Sequence, residues 1–143
     1  MLTVCFRGDA YPACSVSASP VNSAPSKSIV LVDDERSYTD LMTILLSDNL
    51  DCKVHAFVRP TDALDALPTL NPGVIVTDYF MPDIHGLEFI RRATPLVPGI
   101  PFLLITGHPI SSLQAEMAQI GALKGHISKP FSWRKLADEI RRV

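Results

Sequence analysis

The fold is decided by the stretch at residues 74–86, which reads VIVTDYFMPDIHG. It opens with a short run of apolar, β-branched residues of the kind that forms a buried strand, and this run leads directly to Asp78. A loop that contains Pro82 and Gly86 follows at once. The strand therefore delivers Asp78 to its carboxyl end, where open α/β sheets place their ligands. We expect Asp78 to be the reactive group of the protein.

Four other stretches of the sequence predict strands. Residues 29–32 and 102–105 are continuous apolar runs, which are typical of strands that are buried on both faces. Residues 53–57 alternate polar and apolar side chains, which favours a position nearer the edge of the sheet. A shorter fifth strand is expected around residues 126–128.

Helical patterns separate and follow these strands, which gives five predicted helices. The residues that carry these predictions are, in chain order, Tyr38, Leu41, Met42 and Leu45 on one buried face; Pro60 in the first turn of a helix that ends before Pro68; residues 87–93; Ile110 at the start of a helix capped by Gly121; and Ser132 as the N-cap of the last helix. Strands and helices that alternate in this way imply an α/β fold, in which helices cover both faces of a parallel sheet.

Composition sets the limits within which a function must lie. The chain has 143 residues, of which 47% are apolar and 20% charged, as expected for one soluble domain. A net charge of −2 gives no sign of direct nucleic-acid binding, and no apolar run is long enough for a membrane span. Three cysteines without metal-type spacing are best explained as free thiols in the cytoplasm. Residues 1–26 are largely rich in Ser, Pro and Ala, and we expect them to form a disordered N-terminal extension.

Polar residues stand where the predicted strands end. Asp33 and Asp34 follow the first strand, Asp78 ends the third, Thr106 the fourth and Lys129 the fifth. Because the carboxyl ends of parallel strands share one edge of the sheet, we expect these side chains to converge there. Three neighbouring carboxylates repel one another unless a cation neutralises them, and an all-oxygen site of this kind suits Mg²⁺.

This set of groups predicts phosphoryl chemistry. A carboxylate oxygen is a competent nucleophile toward a phosphoryl group, and the product at Asp78 would be an aspartyl phosphate. Lys129 would cover one phosphoryl oxygen as a point charge, and the Thr106 hydroxyl would bond to another. Each residue alone also has an ordinary explanation as a cap, a turn residue or a surface lysine, so the inference depends on their joint placement. No nucleotide-binding loop is present in the sequence, so we expect the phosphoryl donor to arrive on a partner.

The motifs that carry this chemistry resemble those of the response-regulator receiver domains of bacterial two-component signalling. The resemblance covers residues 27–143 and lies in four motifs in the same order: VDDE at 32–35, TDYFMP at 77–82 with Gly86, ITG at 105–107 and KPF at 129–131.

The resemblance implies a flavodoxin-like, doubly wound sheet of five strands in the order 2-1-3-4-5. It implies that Asp78 accepts a phosphoryl group from a histidine kinase or a histidine phosphotransfer protein. Mg²⁺ would be held by Asp33, Asp34, Asp78 and the backbone carbonyl of Phe80, and Thr106 and Lys129 would sense the phosphoryl group. The Lys129–Pro130 bond is often cis in this family.

The resemblance also implies how the domain would signal. Its output surface would be formed by the fourth helix, the fifth strand and the fifth helix, which would contact a downstream protein or a second copy of the chain. We expect a stand-alone receiver that is not an enzyme beyond its own phosphorylation and dephosphorylation.

The sequence departs from the family pattern at three informative positions. His126 stands where the family usually has the Tyr or Phe that turns inward on activation, so it is either a switch residue or a simple surface residue. Phe80 and His108 occupy positions at which the family tunes the lifetime of the phosphoryl group.

Other functions stay open at this point. His126 leaves room for a receiver-like binding module that works without phosphorylation. A phosphohydrolase would need a second carboxylate two residues after the nucleophile, where this chain has Phe80. A DNA-binding regulator has the least support, because nothing in the sequence beyond the last helix could read a groove.

Overall fold

A parallel sheet of five strands forms the centre of the computed structural model, which describes residues 28–143. The strands are β1 (Ser28–Val32), β2 (Val54–Phe57), β3 (Pro72–Asp78), β4 (Phe102–Thr106) and β5 (Leu123–Ser128). Their order across the sheet is β2-β1-β3-β4-β5, which confirms the predicted flavodoxin-like topology. The prediction of a disordered extension concerns residues 1–26 and lies outside the described residues.

Helices cover both faces of this sheet. They are α1 (Arg36–Leu50), α2 (Pro60–Leu70), α3 (Gly86–Ala93), α4 (Gln114–Met117) and α5 (Trp133–Arg142), and a 3₁₀ turn (Ile110–Ser112) precedes α4. One core joins α2 and α3 to the sheet and includes Leu67, Phe89 and Ile90. The other joins α1 and α5 to the opposite face and includes Met42 and Leu136.

The two cores follow from the alternation of side chains along each strand. In β1, Val30 and Val32 enter the core under α2 and α3, whereas Ile29 and Leu31 enter the core under α1 and α5. Every residue of β1 is buried, and so is every residue of β4. Strands with two covered faces are therefore continuous apolar runs, whereas β2 at the edge carries no fully buried residue.

The first helix is correctly placed, but one residue of its predicted buried face is wrong. Leu41 is 52% exposed, while the fully buried positions are Thr39, Met42 and Leu46. Tyr38 and Leu45 pack against the edge of the core as predicted. The apolar stripe is therefore rotated away from Leu41, which leaves that side chain in solvent.

The second helix does not end before Pro68, as predicted, but continues through it to Leu70. A proline inside a helix gives up the bond from its missing amide to the carbonyl four residues earlier. Pro68 is exposed and lies within the last turn, so little further structure depends on that bond. Asn71 then ends the helix with a φ of 48°.

The helix predicted from Ile110 to Gly121 is the largest error. A 3₁₀ turn and a single α-helical turn replace it, although Leu113 and Ile120 are buried and Met117 packs on the core, as their spacing implied. The Ser112 hydroxyl donates to the Pro109 carbonyl at 2.7 Å, a local bond of the kind that competes with regular helix. Within residues 28–143 the glycine with positive φ is Gly99, so Gly121 is not a left-handed cap.

The end of the sheet opposite to the carboxyl ends of the strands carries an open cavity. Ile29 at the start of β1 lines it together with Cys52, Ile140 and Val143. The first strand, β1, and the last helix, α5, therefore meet at this end of the molecule.

Candidate functional site

Three carboxylates converge at the carboxyl edge of the sheet. Asp33 and Asp34 follow β1, and Asp78 ends the neighbouring strand β3, where Val32 pairs with Thr77. One carboxylate oxygen from each aspartate lies within 4.8 Å of the others. Asp33 and Asp78 are buried, whereas Asp34 is exposed. The three aspartates therefore cluster as predicted, and the cluster is open to solvent on the side of Asp34.

Lys129, which directly follows the edge strand β5, brings a positive charge to these carboxylates. Its Nζ lies 3.0 Å from Asp78 Oδ1, although the two residues are separated by β4. The backbone guides it there, because the amide of Lys129 donates to the carbonyl of Thr106 at 2.9 Å and continues the pairing of β5 with β4. The Lys129–Pro130 bond is cis, as the resemblance implied.

Thr106 lies between these groups at the end of β4 and is fully buried. Its Oγ1 accepts a hydrogen bond from the backbone amide of His108 at 2.9 Å. A hydroxyl can accept and donate at the same time, so this bond leaves the hydroxyl proton of Thr106 free to serve an anion at the site.

Gly86 holds the loop that follows Asp78 in place. Its amide donates to the carbonyl of Tyr79 at 2.7 Å, which folds the loop back over the end of β3. A Cβ at this position would lie 2.5 Å from the backbone oxygen of Asp78 and 2.9 Å from Leu104 Cδ1. Only glycine fits this approach, so Gly86 contributes to the site by its lack of a side chain.

Burial dominates the electrostatics of Asp33 and Asp78, and the charge of a neighbouring carboxylate acts on each of them in the same direction. Burial raises the pKa of Asp33 from 3.8 to about 6, and the charge of Asp78 adds to this, while the backbone amide of Glu35 and Lys129 oppose it. Burial likewise raises the pKa of Asp78, although Lys129 opposes the change. Burial lowers the pKa of Lys129, but its bond to Asp78 and the surrounding carboxylates outweigh that effect, and the net direction is upward.

These observations fit a site for a hard divalent cation. The donor set consists of carboxylate oxygens, which Mg²⁺ and Ca²⁺ prefer, and the exposed Asp34 leaves space for water ligands. A cation there would offset the repulsion that now raises the pKa values of Asp33 and Asp78. The arrangement can therefore bind a cation beside a nucleophilic carboxylate that a lysine also contacts.

Aromatic rings and imidazoles line the rim of the site. Phe80 is 70% exposed, and its ring stacks on that of His108 with centroids 6.1 Å apart. Tyr79 contacts both His108 and His85, at centroid distances of 5.2 and 5.3 Å. His126 on β5 is exposed, so the residue predicted as a switch lies with its side chain in solvent.

Sequence reasoning assigned Tyr38 only to the buried face of α1 and did not anticipate the environment of its hydroxyl. Its hydroxyl is buried and has no hydrogen-bond partner. Hydrophobic spacing counts tyrosine among the apolar residues of a buried face, so it gave no signal of this unpaired hydroxyl.

The comparison with protein families gives a match to the response regulator receiver domain over residues 29–141. Among curated relatives, the C4-dicarboxylate transport transcriptional regulatory protein DctD of Rhizobium meliloti is 32% identical over 86% of this chain and 26% of its own length. The transcriptional regulatory protein FixJ of Bradyrhizobium diazoefficiens is 34% identical over 72% of this chain and 49% of its own length. The chain thus spans half or less of the length of these relatives.

Solved structures share the fold. A CheY-like receiver domain protein from Methanospirillum hungatei superposes with a TM-score of 0.75 at 23% identity, over 82% of this chain and 92% of that one. The chemotaxis protein CheY4 of Vibrio cholerae gives a TM-score of 0.76 at 24% identity, over 82% and 98%.

No helix among residues 28–143 has the length and apolar character needed to cross a membrane.

Receiver domains of two-component systems are signalling modules that interact with histidine kinases or phosphotransfer proteins and with downstream partners. From the family match over most of its length, this chain belongs to the response-regulator receiver domain family.

Proposed function

We propose that this receiver domain accepts a phosphoryl group on Asp78 from a histidine kinase or a histidine phosphotransfer protein. The observation that carries the proposal is the contact between Lys129 Nζ and Asp78 Oδ1 at 3.0 Å, next to a cluster of three carboxylates. Asp33, Asp34, Asp78 and the backbone carbonyl of Phe80 would hold Mg²⁺, which would neutralise the phosphoryl oxygens when bound.

The proposed reaction transfers a phosphoryl group from a histidine of the donor to Asp78. An oxygen of Asp78 attacks phosphorus, a new O–P bond forms, and the P–N bond to the donor histidine breaks with its electron pair returning to the imidazole. Lys129 then exchanges its bond to Asp78 for one to a phosphoryl oxygen, as a flexible point charge can. Thr106 donates its hydroxyl proton to a further oxygen, since its acceptor side is already held by His108.

The output of the phosphorylated domain follows from the same two residues. Thr106 ends β4 and Lys129 follows β5, so any shift in either is passed to the surface formed by α4, β5 and α5. We include His126 in this proposal as the switch residue, since its exposed side chain on β5 is free to change position. The domain would signal as a stand-alone receiver, by protein contact or by onward phosphotransfer.

Incubation with acetyl phosphate and Mg²⁺ tests the proposal. Mass spectrometry should show a single added phosphoryl group, which Asp78→Asn abolishes and which chelation of Mg²⁺ prevents. Asp83→Asn is the matched control, because Asp83 is an exposed aspartate in the loop that follows β3. A wild-type protein that stays unmodified, or an adduct that persists in Asp78→Asn, would instead support a binding module that works without phosphorylation.

A further inference from the structure

Positive charge is concentrated in the last strand and the last helix. Residues 123–143 hold six lysine and arginine residues against two acidic residues, whereas residues 28–122 hold five against twelve. Lys129 belongs to the site beside Asp78. The other cations of this segment lie on β5 and α5 and have no role in the function described so far. They are Lys124, Arg134, Lys135, Arg141 and Arg142.

A groove runs between β5 and α5, and one carboxylate organises the cations along it. A Cβ at Gly125 would lie 3.8 Å from Glu139 Oε2, so this carboxylate reaches from α5 to the middle of β5. Glu139 Oε1 accepts bonds from Lys135 Nζ at 3.1 Å and from Arg142 Nη1 at 2.7 Å. The Glu139 side chain is 13% exposed, whereas those of Lys135 and Arg142 are 53% and 68% exposed. The β5–α5 groove therefore covers its negative charge and presents two positive charges to solvent.

Open cavities lie at both ends of the β5–α5 groove. At the carboxyl end of β5, Ser128 and Lys135 line one of them. At the amino end of β5, Lys124 and Arg142 line the other, together with Glu139. Each end of the groove therefore offers both space and a cation to an incoming side chain.

The β5–α5 groove is separate from the surface beside α4. Ile127 of β5 and Leu136 of α5 pack in the core that α1 and α5 share, whereas Met117 of α4 packs on the core of the opposite face. A protein bound in the groove therefore approaches β5 from the side of α5 and leaves the surface beside α4 accessible.

We propose that the β5–α5 groove docks an acidic segment of a downstream partner protein, whose carboxylates pair with Lys135, Arg142 and Lys124. The inference rests on the proposed function, because it names the chemistry of the protein to which the domain would signal. Lys135 and Arg142 each keep N–H donors beyond the one that Glu139 accepts, so they can bind a second carboxylate.

The spacing of these cations indicates what kind of segment fits. Lys135 and Arg142 stand seven residues apart in α5, which is about 10 Å along the helix axis. About three residues of an extended chain cover the same distance. An extended segment with a carboxylate at every third residue would therefore meet both cations.

Fluorescence anisotropy with a short labelled peptide, which carries Glu at every third residue among Ser and Ala, tests the inference on the unphosphorylated protein. The double variant Lys135→Gln/Arg142→Gln should raise the dissociation constant about tenfold, since two exposed charge pairs are lost. Lys124→Gln, on the other side of the groove, should raise it about threefold. The same peptide with Gln in place of Glu should not bind.

Arg91→Gln/Arg92→Gln is the matched control. Both arginines are exposed on α3 and contact one glutamate, Glu88, at 3.8 and 3.2 Å, much as the two cations of the groove contact Glu139. This variant removes the same amount of charge from the protein, so its dissociation constant should stay within about twofold of wild type if the groove itself is the docking site. Thermal unfolding checks that each variant is folded, and Lys124→Gln decides the matter if the groove double variant is not.

Several outcomes would overturn the inference. Equal losses of affinity in the two double variants would mean general attraction between charges. Tighter binding of a uridine oligonucleotide than of the Glu peptide would assign the groove to RNA. Self-association of the unphosphorylated protein that Lys135→Gln/Arg142→Gln abolishes would assign it to a second copy of the chain.

The same measurements separate this inference from the proposed function. If acetyl phosphate modifies Asp78 while the Glu peptide does not bind, the inference alone fails. If the Glu peptide binds as expected while Asp78 stays unmodified, the proposed phosphorylation fails and the docking surface stands.

Discussion

Asp33 shows most directly how burial and charge shape this protein at the level of single residues. Its folded pKa of about 6 lies above the unfolded value of 3.8, so the folded state binds the proton more tightly. Stability in the absence of metal must therefore fall as the pH rises from about 4 to about 6, and stay lower above that range. The raised pKa of Asp78 acts in the same direction.

Denaturant unfolding in chelator at several pH values checks this prediction. From the size of the pKa change, Asp33→Asn should stabilise the metal-free protein by roughly 2–3 kcal/mol at pH 8 and have little effect near pH 3.5. Asp40→Asn, at an exposed position in α1, is the control for the loss of a carboxylate from the protein surface. A variant equally stabilised at both pH values would contradict the assignment to the Asp33 charge.

Gly86 gives a second prediction at this scale. Gly86→Ala should destabilise the domain by about 2 kcal/mol, because the new methyl group would collide with the backbone oxygen of Asp78 and force the loop to move. Gly121→Ala should change stability by less than about 0.5 kcal/mol, since a Cβ there meets no atom within 4 Å. Urea unfolding of both variants measures the difference, and equal values would show that the loop is not held by this contact.

The residues that bring charge to the site could be predicted from the sequence, and the buried, unpaired hydroxyl of Tyr38 could not. Asp33, Asp78 and Lys129 each follow a recognisable strand, so the topology alone brings them together. Helical periodicity, in contrast, counts Tyr38 as an apolar residue on the buried face of α1. The surroundings of its hydroxyl depend on how the ring packs, here edge-on against Phe131, and spacing in the sequence does not contain that information.

At the level of elements, α5 shows where local sequence signals suffice. Ser132 is the predicted N-cap, and its Oγ accepts from the amide of Lys135 at 3.3 Å. Ser132→Ala should therefore lower stability by about 1 kcal/mol. Thermal unfolding of this variant is compared with that of Ser111→Ala, which removes the hydroxyl of an exposed serine in the turn before α4. No difference between the two variants would show that the cap adds nothing at this helix.

The segment around α4 shows where such signals fail. Leu113 and Ile120 are buried, which is the outcome that a helical pattern predicts, yet the backbone between them is mostly irregular. Burial of a few apolar side chains can be achieved by more than one backbone path. The irregular backbone path in this segment coincides with local hydrogen bonds, such as the one that the Ser112 hydroxyl donates to the Pro109 carbonyl. Hydrophobic spacing does not predict such bonds.

At the level of the whole molecule, the strand order determines which surfaces could respond to the proposed phosphorylation of Asp78. β5 is an edge strand, and Lys124, His126 and Ser128 on it are exposed. With α4 reduced to one turn, the surface next to β5 is open to a partner. A second copy of the chain is the partner that the receiver resemblance suggests.

Analytical ultracentrifugation tests this pairing. We expect the protein to sediment as a monomer without phosphoryl donor and to shift toward a dimer with acetyl phosphate and Mg²⁺. Asp78→Asn should remain a monomer under both conditions. Identical sedimentation of the wild-type protein with and without donor would contradict dimer formation and leave contact with a different protein, or onward phosphotransfer, as the form of output.

The open cavity at the end of the sheet away from Asp78 has a practical consequence for engineering. Ile29 and Val143 both line it, so the two ends of the described domain are neighbours. A short flexible linker could join Val143 to Ser28, and new termini could be opened in the exposed turn near Gly99. Such a circular permutant would keep the acidic cluster intact, and a reporter attached at the new ends would stand clear of any kinase approaching the opposite edge.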